Sequence, residues 1–189
     1  EIRTQHRARS AGAQSALGRK PATEAVYKPV LPHLADRVAS RLRAKARAGR
    51  TITVRVRFAD MRSITRSVTL DVPIATTTTL AEIAEELVRS ALADHPCERV
   101  ITLVAVSVSH LREQAAIQLD LPLGLGDEKN RPGTRQGIAR FSADRAIDAV
   151  RARFGRDAVG YAIAQLDRAR SVPDAFRELA EKDLGERDV

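Results

Sequence analysis

The sequence predicts an α+β fold: a ferredoxin-like β-α-β-β-α-β sandwich with two helices on one sheet face. Residues 51–58 and 62–70 alternate apolar and polar side chains, which is typical of strands buried on one side only. Residues 30–48 and 80–93 instead repeat apolar side chains every three or four positions, which is typical of amphipathic helices. Because helices and strands interleave along the chain, a split βαβ arrangement is expected.

Two further segments complete the predicted sheet. RSAGAQSALG (9–18) is the first strand, and the almost continuously apolar run at 98–111 is a central strand. Gly49 is well placed to end the first helix. Thr79 and Glu82 have the spacing of a capping box that would open the second helix.

The two alternating runs are joined by a short turn and predict a β-hairpin. Its apolar side faces the helices, so its polar side should lie on an open sheet face. Arg66 interrupts the apolar side of the second strand. The polar residues expected on the open face are Arg55, Arg57, Ser63, Thr65 and Ser67.

The character of the chain changes after residue 111. We expect a first domain at 1–111, a linker at 112–140 and a small helical tail at 141–189. Ser142 is the expected N-cap of a first tail helix, and 172–185 is a second one. The tail is too small for a strong core of its own, so it either docks on the first domain or is loosely held.

Charge separates the two halves of the chain. The net charge is +8, and residues 1–70 hold 16 basic against 4 acidic side chains. Such clustering is typical of proteins that bind polyanions, and Arg, Ser and Thr suit phosphate oxygens. Aromatic residues make up only 3% of the chain, which disfavours a sheet that stacks bases. The alternative is a solvated arginine-rich face, or one covered by a partner.

Several classes of protein are disfavoured by the composition. The single cysteine, Cys97, excludes an internal disulfide and fits a reducing, cytoplasmic setting. No apolar run is long enough to span a membrane, and the charged start is not a signal peptide. His95 and Cys97 form the only close His/Cys pair and lack further ligands at zinc-site spacing. From the missing initiator Met we expect either a fragment of a longer protein or a processed product.

RVRFADMRSITRSVTL (55–70) resembles the hairpin of the little-finger domain of Y-family translesion DNA polymerases, of the DinB or DNA polymerase IV type. Residues 8–18 are similar to the opening strand of that domain, and 101–111 to its last strand. The resemblance covers roughly 1–111. It departs from the family at Gln14, where Glu is usual, at Ala16-Leu17, where Thr-Phe is usual, and at Thr102, where a basic residue is common.

The resemblance implies a domain that grips the backbones of a duplex primer–template. Catalysis in this family belongs to palm carboxylates that bind two magnesium ions, and no such pair is present here. The chain is therefore expected to be inert alone and without a cofactor. Its parent would be a magnesium-dependent, error-prone nucleotidyltransferase, monomeric and associated with the bacterial nucleoid. The positions that match DNA contacts, or that shape the contact surface, are Arg9, Ser10, Arg55, Arg57, Arg62, Thr65, Arg66 and Ser67.

QLDLPL (118–123) resembles the short peptide with which bacterial polymerases bind the sliding clamp. Such a peptide must be exposed, so that it can enter a groove on the ring. The alternative is an apolar strap packed on the sheet or the tail helices. The resemblance assigns clamp binding to Gln118, Leu119, Leu121, Pro122 and Leu123.

Two other functions remain open from sequence. One is a non-catalytic adaptor on a Y-family scaffold, which binds the clamp and repair partners. Palm carboxylates upstream would distinguish a polymerase from such an adaptor. The other is a small-molecule regulatory domain of ferredoxin-like fold, which would require a glycine-rich effector loop that the sequence lacks.

Overall fold

A computed structural model of the protein describes residues 8–113 and 134–161. The described residues contain a four-stranded antiparallel sheet of order β1-β4-β2-β3. The predicted α+β fold and the β-α-β-β-α-β order are confirmed. The elements are β1 (Ser10–Pro21), α1 (Glu24–Tyr27), α2 (Val30–Ala44), β2 (Arg47–Phe58), β3 (Ser63–Ile74), α3 (Thr77–Ala93), β4 (Val100–Glu113) and α4 (Arg135–Phe154).

Each long helix of the domain joins two parallel strands that are separated by a third strand. Strands β1 and β2 flank β4, and the connection between them contains α2. Strands β3 and β4 flank β2 and are joined by α3. Both crossovers place their helices on the same face of the sheet, as the split βαβ pattern requires.

The core lies between this helical layer and one face of the sheet. Ile52, Val54 and Val56 of β2 are fully buried, as the alternation predicts. Strand β4 adds Val104, Val106 and Val108. The helices cover these side chains with Leu31, Leu34, Val38, Leu80, Ile83 and Val88.

The prediction that Gly49 ends the first helix is wrong. Helix α2 stops at Ala44, and the chain reverses through Ala46, whose φ is 47°. Gly49 lies inside β2, where a Cβ atom would lie 2.9 Å from both the Ser109 carbonyl oxygen and the Leu111 Cδ2. The glycine therefore permits close packing of β2 on β4.

The predicted capping box does not form. Helix α3 begins at Thr77, two residues before Thr79, and the Thr79 side chain is buried. The Thr79 hydroxyl accepts a hydrogen bond of 3.2 Å from Arg140 Nη1, and Glu82 forms a two-bond ion pair with the same guanidinium. Arg140 belongs to α4, so a tertiary contact replaces the local one.

Helix α4 begins at Arg135, within the segment predicted as linker, and not at Ser142. Its N-cap is Thr134, whose hydroxyl accepts a hydrogen bond of 3.1 Å from the Gly137 amide. The helix docks on the outer side of α2 and α3, which answers for α4 whether the tail is docked or loose. The predicted helix 172–185 lies outside the described residues. No described helix has the length and apolar character of a membrane span.

A buried polar network holds α4 in place. Asp144 is 0% exposed and accepts hydrogen bonds from the Thr77 amide at 2.8 Å and the Tyr161 hydroxyl at 2.6 Å. Asp144 also forms an ion pair with Arg43 of α2, whose Nη1 lies 3.1 Å from the Asp144 Oδ2. Arg43 also forms a bidentate pair with Asp148, at 2.6 and 2.9 Å. One α4 carboxylate therefore caps the N-terminus of α3 and neutralises a buried arginine.

Candidate nucleic-acid interface

The polar residues of the hairpin lie together on the sheet face opposite the core. In the β2–β3 register Arg55 pairs with Thr65, Arg57 with Ser63, and Thr53 with Ser67. Because neighbouring Ile52, Val54 and Val56 point into the core, these side chains point away from it. The described helices α2 and α3 pack on the opposite face, so the predicted placement on the open face is confirmed.

The centre of the open face forms a depression because the side chains there are small. Gly12, Ala105 and Ser107 lie beside Arg55 and Thr53 in adjacent strands. They form the floor of a shallow groove of about 490 Å³, whose sides include Arg55, Thr65 and Gln14. A Cβ on Gly12 would lie 3.2 Å from the Ser107 Cβ, so glycine keeps this floor flat.

Arg55 is oriented across the sheet by a neutral partner. Its Nη2 donates to the Gln14 Oε1 at 3.1 Å, over the Ala105 position of the intervening strand. Since Gln14 is uncharged, the guanidinium is positioned without being neutralised. The sequence marks Gln14 only as a departure from the family, and its role requires knowledge of the strand order.

Arg57 is held in a similar way by Thr102. The Arg57 Nε donates to the Thr102 Oγ1 at 3.1 Å. Thr102 lies at an irregularity of the β2–β4 pairing, where its hydroxyl lies 3.2 Å from the Arg57 carbonyl and 3.1 Å from that of Phe58. The residue that replaces a common basic side chain therefore orients the neighbouring arginine.

A row of hydroxyl groups extends the face towards the other end of the sheet. The Thr51 Oγ1 lies 2.9 Å from the Thr69 Oγ1 and 2.8 Å from the His110 Nδ1. His110 has a φ of 52°, a local departure from extended backbone within β4 that the alternation does not reveal. Ser10, opposite Ser109, lies in the same row, and Arg9 is exposed just before it.

Arg62 lies in the hairpin turn and is exposed, but it is paired with two carboxylates. It contacts Asp60 within the turn and Glu98 just before β4. The hydrogen bond between Arg62 and Asp60 raises the pKa of the guanidinium and lowers the pKa of the carboxyl. The charge of Arg62 is therefore largely compensated by its own neighbours.

Arg66 does not join the open face, although it was grouped with the DNA-contacting residues. It pairs with Val54 across the hairpin and so belongs to the helix side of the sheet. Its Nη2 donates to the Asp94 Oδ2 at 2.7 Å, at the end of α3. The period-2 geometry of β3 separates Arg66 from Thr65 and Ser67, which lie on the other face.

Residues 8–121 match the family model described as the impB/mucB/samB family C-terminal domain. The chain belongs to this family. It is 68% identical over 184 residues to DNA polymerase IV 2 of Mesorhizobium japonicum, covering 97% of this chain and 44% of that protein. It is 33% identical over 105 residues to DNA polymerase IV of Desulfatibacillum aliphaticivorans, covering 55% of this chain and 26% of that one.

The fold of this impB/mucB/samB C-terminal domain is also found in a solved structure of a Y-family DNA polymerase chimera. The TM-score is 0.50 at 17% identity, over 56% of this chain and 29% of the chimera. The family model and the 68% identical relative confirm the resemblance to the C-terminal domain of Y-family polymerases of the DNA polymerase IV type, and the chimera confirms the fold. The chain spans less than half the length of each of these relatives.

Two further expectations from the sequence concern metal binding and the clamp-binding peptide. Within residues 8–113 and 134–161, no three His, Cys, Asp or Glu side chains are grouped so as to hold a metal ion. The predicted clamp-binding residues, Gln118, Leu119, Leu121, Pro122 and Leu123, lie outside the described residues.

Proposed function

We propose that this chain is the DNA-binding little-finger region of a bacterial translesion DNA polymerase IV, and that its open sheet face grips the primer–template backbone. The observation that carries the proposal is the pair Arg55 and Arg57. Both lie on the open face, each is oriented by a neutral side chain, and neither has a carboxylate partner in the described part of the chain.

The chemistry of the open face suits phosphate better than bases. Arginine forks and the hydroxyls of Ser63, Thr65 and Ser67 donate to phosphate oxygens. The groove floor is made of Gly12, Ala105 and Ser107 and offers no aromatic ring for stacking. Binding should therefore depend on the backbone of the duplex and little on its sequence.

The reaction itself is assigned to the parent protein. Nucleotidyl transfer, its magnesium ions and error-prone synthesis opposite lesions belong to a palm domain beyond these residues. The role of the chain in that reaction is to position the primer–template. Alone it should bind DNA without extending a primer.

A salt titration tests the grip on DNA. With ~4–6 phosphate contacts, the logarithm of the affinity for a duplex should fall with the logarithm of salt concentration at a slope of about −4 to −5. Fluorescence anisotropy at several salt concentrations measures it, with a second duplex of unrelated sequence as the control. A slope near zero, or a strong preference for one duplex, would contradict backbone binding.

The second half of the proposed function is a tether to the sliding clamp through QLDLPL at 118–123. In an extended peptide Leu119, Leu121 and Leu123 share one side, and burying each is worth ~1.5–3 kcal/mol. Ordering the segment offsets several kcal/mol of this gain. The expected dissociation constant is about micromolar or weaker, which suits a polymerase that visits the clamp and leaves.

Paired substitutions test the tether. Gln118→Ala with Leu119→Ala should abolish binding to the bacterial sliding clamp, measured by surface plasmon resonance, while duplex affinity and melting temperature stay unchanged. Asp120→Ala is the matched control, since Asp120 alternates with the leucines and should keep clamp binding. A large fall in melting temperature would show instead that these leucines pack on the protein itself.

A further inference from the structure

A second basic surface lies on the helical side of the domain, in a cleft between α2 and α4. The walls include Ser40 and Ala44 of α2 and Ala149 and Ala152 of α4. Asp148 is the one carboxylate among the lining residues. The cleft, called here the α2–α4 cleft, is also lined by five arginines: Arg41, Arg43, Arg145, Arg151 and Arg156.

Some of these arginines are neutralised and others are not. Arg43 pairs with Asp144 and Asp148, and Arg151 Nη1 binds the Asp36 carboxylate at 2.9 Å. Arg145 has no carboxylate partner among the described residues. Arg156, likewise without one in that part of the chain, reaches only the Ser40 hydroxyl, at 3.4 Å. Positive charge is therefore available at the mouth of the cleft.

The cleft borders the groove on the open face, because Arg41 lines both. Its Nη1 donates to the Gly12 carbonyl at 2.9 Å, on the edge strand β1. Arg37, one turn earlier on α2, also lines the open-face groove. Cationic side chains thus follow one path from Arg55, around the edge of β1, to the α2–α4 cleft.

We propose that the α2–α4 cleft binds the phosphate backbone of a single-stranded extension of the DNA whose duplex part lies on the open face. The inference rests on the proposed function. A duplex is too stiff to turn around the edge of a sheet, with a persistence length of about 150 base pairs, whereas a single strand turns readily. The side chains that line the cleft include no aromatic ring, so the strand would be held through its phosphates.

The test compares a blunt duplex with the same duplex carrying a single-stranded extension of ~10 nucleotides, within the usual range of single-strand site sizes. The 189-residue chain should bind the extended duplex more tightly than the blunt one. Arg145→Glu with Arg156→Glu should lower affinity for the extended duplex about tenfold, and leave blunt-duplex affinity within about twofold. The salt slope for the extended duplex should become shallower by about 1.4, for two single-strand contacts.

Arg135→Glu with Arg153→Glu is the matched control. It changes the net charge equally, both of its residues lie on α4, and neither lines the cleft. This pair should retain the gain from the extension. Melting curves check that both variant pairs fold. If the Arg145→Glu and Arg156→Glu pair does not fold, Arg145→Ala with Arg156→Ala replaces it.

Three outcomes would overturn the proposal. The first is that the unsubstituted chain gains no affinity from the extension. The second is that both variant pairs lose affinity equally, which would indicate an effect of net charge alone. The third is that substitution of Arg145 and Arg156 weakens binding of poly-glutamate but does not change affinity for the extended duplex. Failure of the proposed function is distinguished by the blunt duplex, whose binding depends on Arg55 and Arg57 and not on the cleft.

Discussion

Arg55 and Arg43 show two opposite environments for the same side chain. Arg55 is exposed on the open face and is oriented by the neutral Gln14. The Arg43 side chain is 3% exposed and is bound by the carboxylates of Asp144 and Asp148. Burial alone would lower the pKa of Arg43, but the Asp148 hydrogen bond and the Asp144 charge raise it overall.

The difference teaches which charges can act on a partner. A buried pair requires each member, because removing one leaves an uncompensated charge in a poorly solvated site. An exposed arginine contributes little to folding, and its charge is free to meet an anion. The Arg43 network therefore holds α4 in place, whereas the Arg55 and Arg57 surface is available for binding.

The largest expected effect breaks the buried side of this comparison. Asp144→Ala removes the Thr77 cap, one partner of Arg43 and the acceptor of Tyr161. We expect a loss of about 3 kcal/mol in the free energy of unfolding, measured by urea denaturation, with faster proteolysis of α4. Duplex affinity should stay within about twofold.

Asp71→Ala is the control for the first prediction, because Asp71 is an exposed carboxylate on β3. Its replacement should change the free energy of unfolding by less than ~0.5 kcal/mol. Equal effects of the two substitutions would show that the Asp144 network does not hold α4.

The second prediction concerns the exposed side. Arg57→Ala should weaken duplex binding by ~1–2 kcal/mol and reduce the salt slope by about one, without changing the melting temperature. Arg66→Ala is the contrast on the same hairpin. Its guanidinium is turned to Asp94 on the other face, so the expected loss is smaller. Anisotropy titrations measure the duplex affinity of both variants. A larger loss for Arg66→Ala than for Arg57→Ala would contradict binding of DNA on the open face.

A third, smaller change refines the description of the network. Tyr161→Phe removes one hydrogen bond to Asp144 and keeps the ring. The expected cost is about 1 kcal/mol in the free energy of unfolding, by urea denaturation. A double-mutant cycle with Asp144→Ala should show that the effect of Tyr161→Phe disappears when the acceptor is absent. Additive losses would assign the cost to the ring and not to the bond.

The smallest effect is a dependence on alkaline pH. Burial is the main cause that raises the pKa of both Tyr161 and Tyr27 above the ordinary value of 10.0, and the hydrogen bond to Asp144 adds to it for Tyr161. The raised pKa favours the neutral phenol in the folded state. The stabilisation that the neutral phenols give to the folded state is therefore full below pH 10.0, and it is lost as the pH rises through the raised pKa values.

Absorbance of tyrosinate during an alkaline titration measures this directly. The folded chain has two tyrosines and should show little tyrosinate at pH 10.0, whereas the urea-unfolded chain should be about half ionised there. Tyr161→Phe leaves only the signal of Tyr27. A normal midpoint for Tyr161 would mean that its hydroxyl is neither buried nor hydrogen-bonded to Asp144 in solution.

The sequence by itself determined the order of the elements and the composition of the open face. Arg55, Arg57, Ser63, Thr65 and Ser67 were placed correctly because a strand assigns side chains to faces by a period of two, a purely local rule. The same rule already set Arg66 apart on the apolar side. The helix patterns were equally local, although the limits of the elements shifted by several residues.

Only the tertiary structure decided the roles of Gly49, Thr79 and Asp144. Gly49 is required by the approach of β4, Thr79 is engaged by Arg140, and Asp144 caps a helix that lies 67 residues earlier in the chain. Local periodicity contains no information on such pairs, since their partners meet only when the layers pack. For the same reason the net charge could not show which arginines are neutralised, because Asp148, a partner of Arg43, is 105 residues away in the sequence.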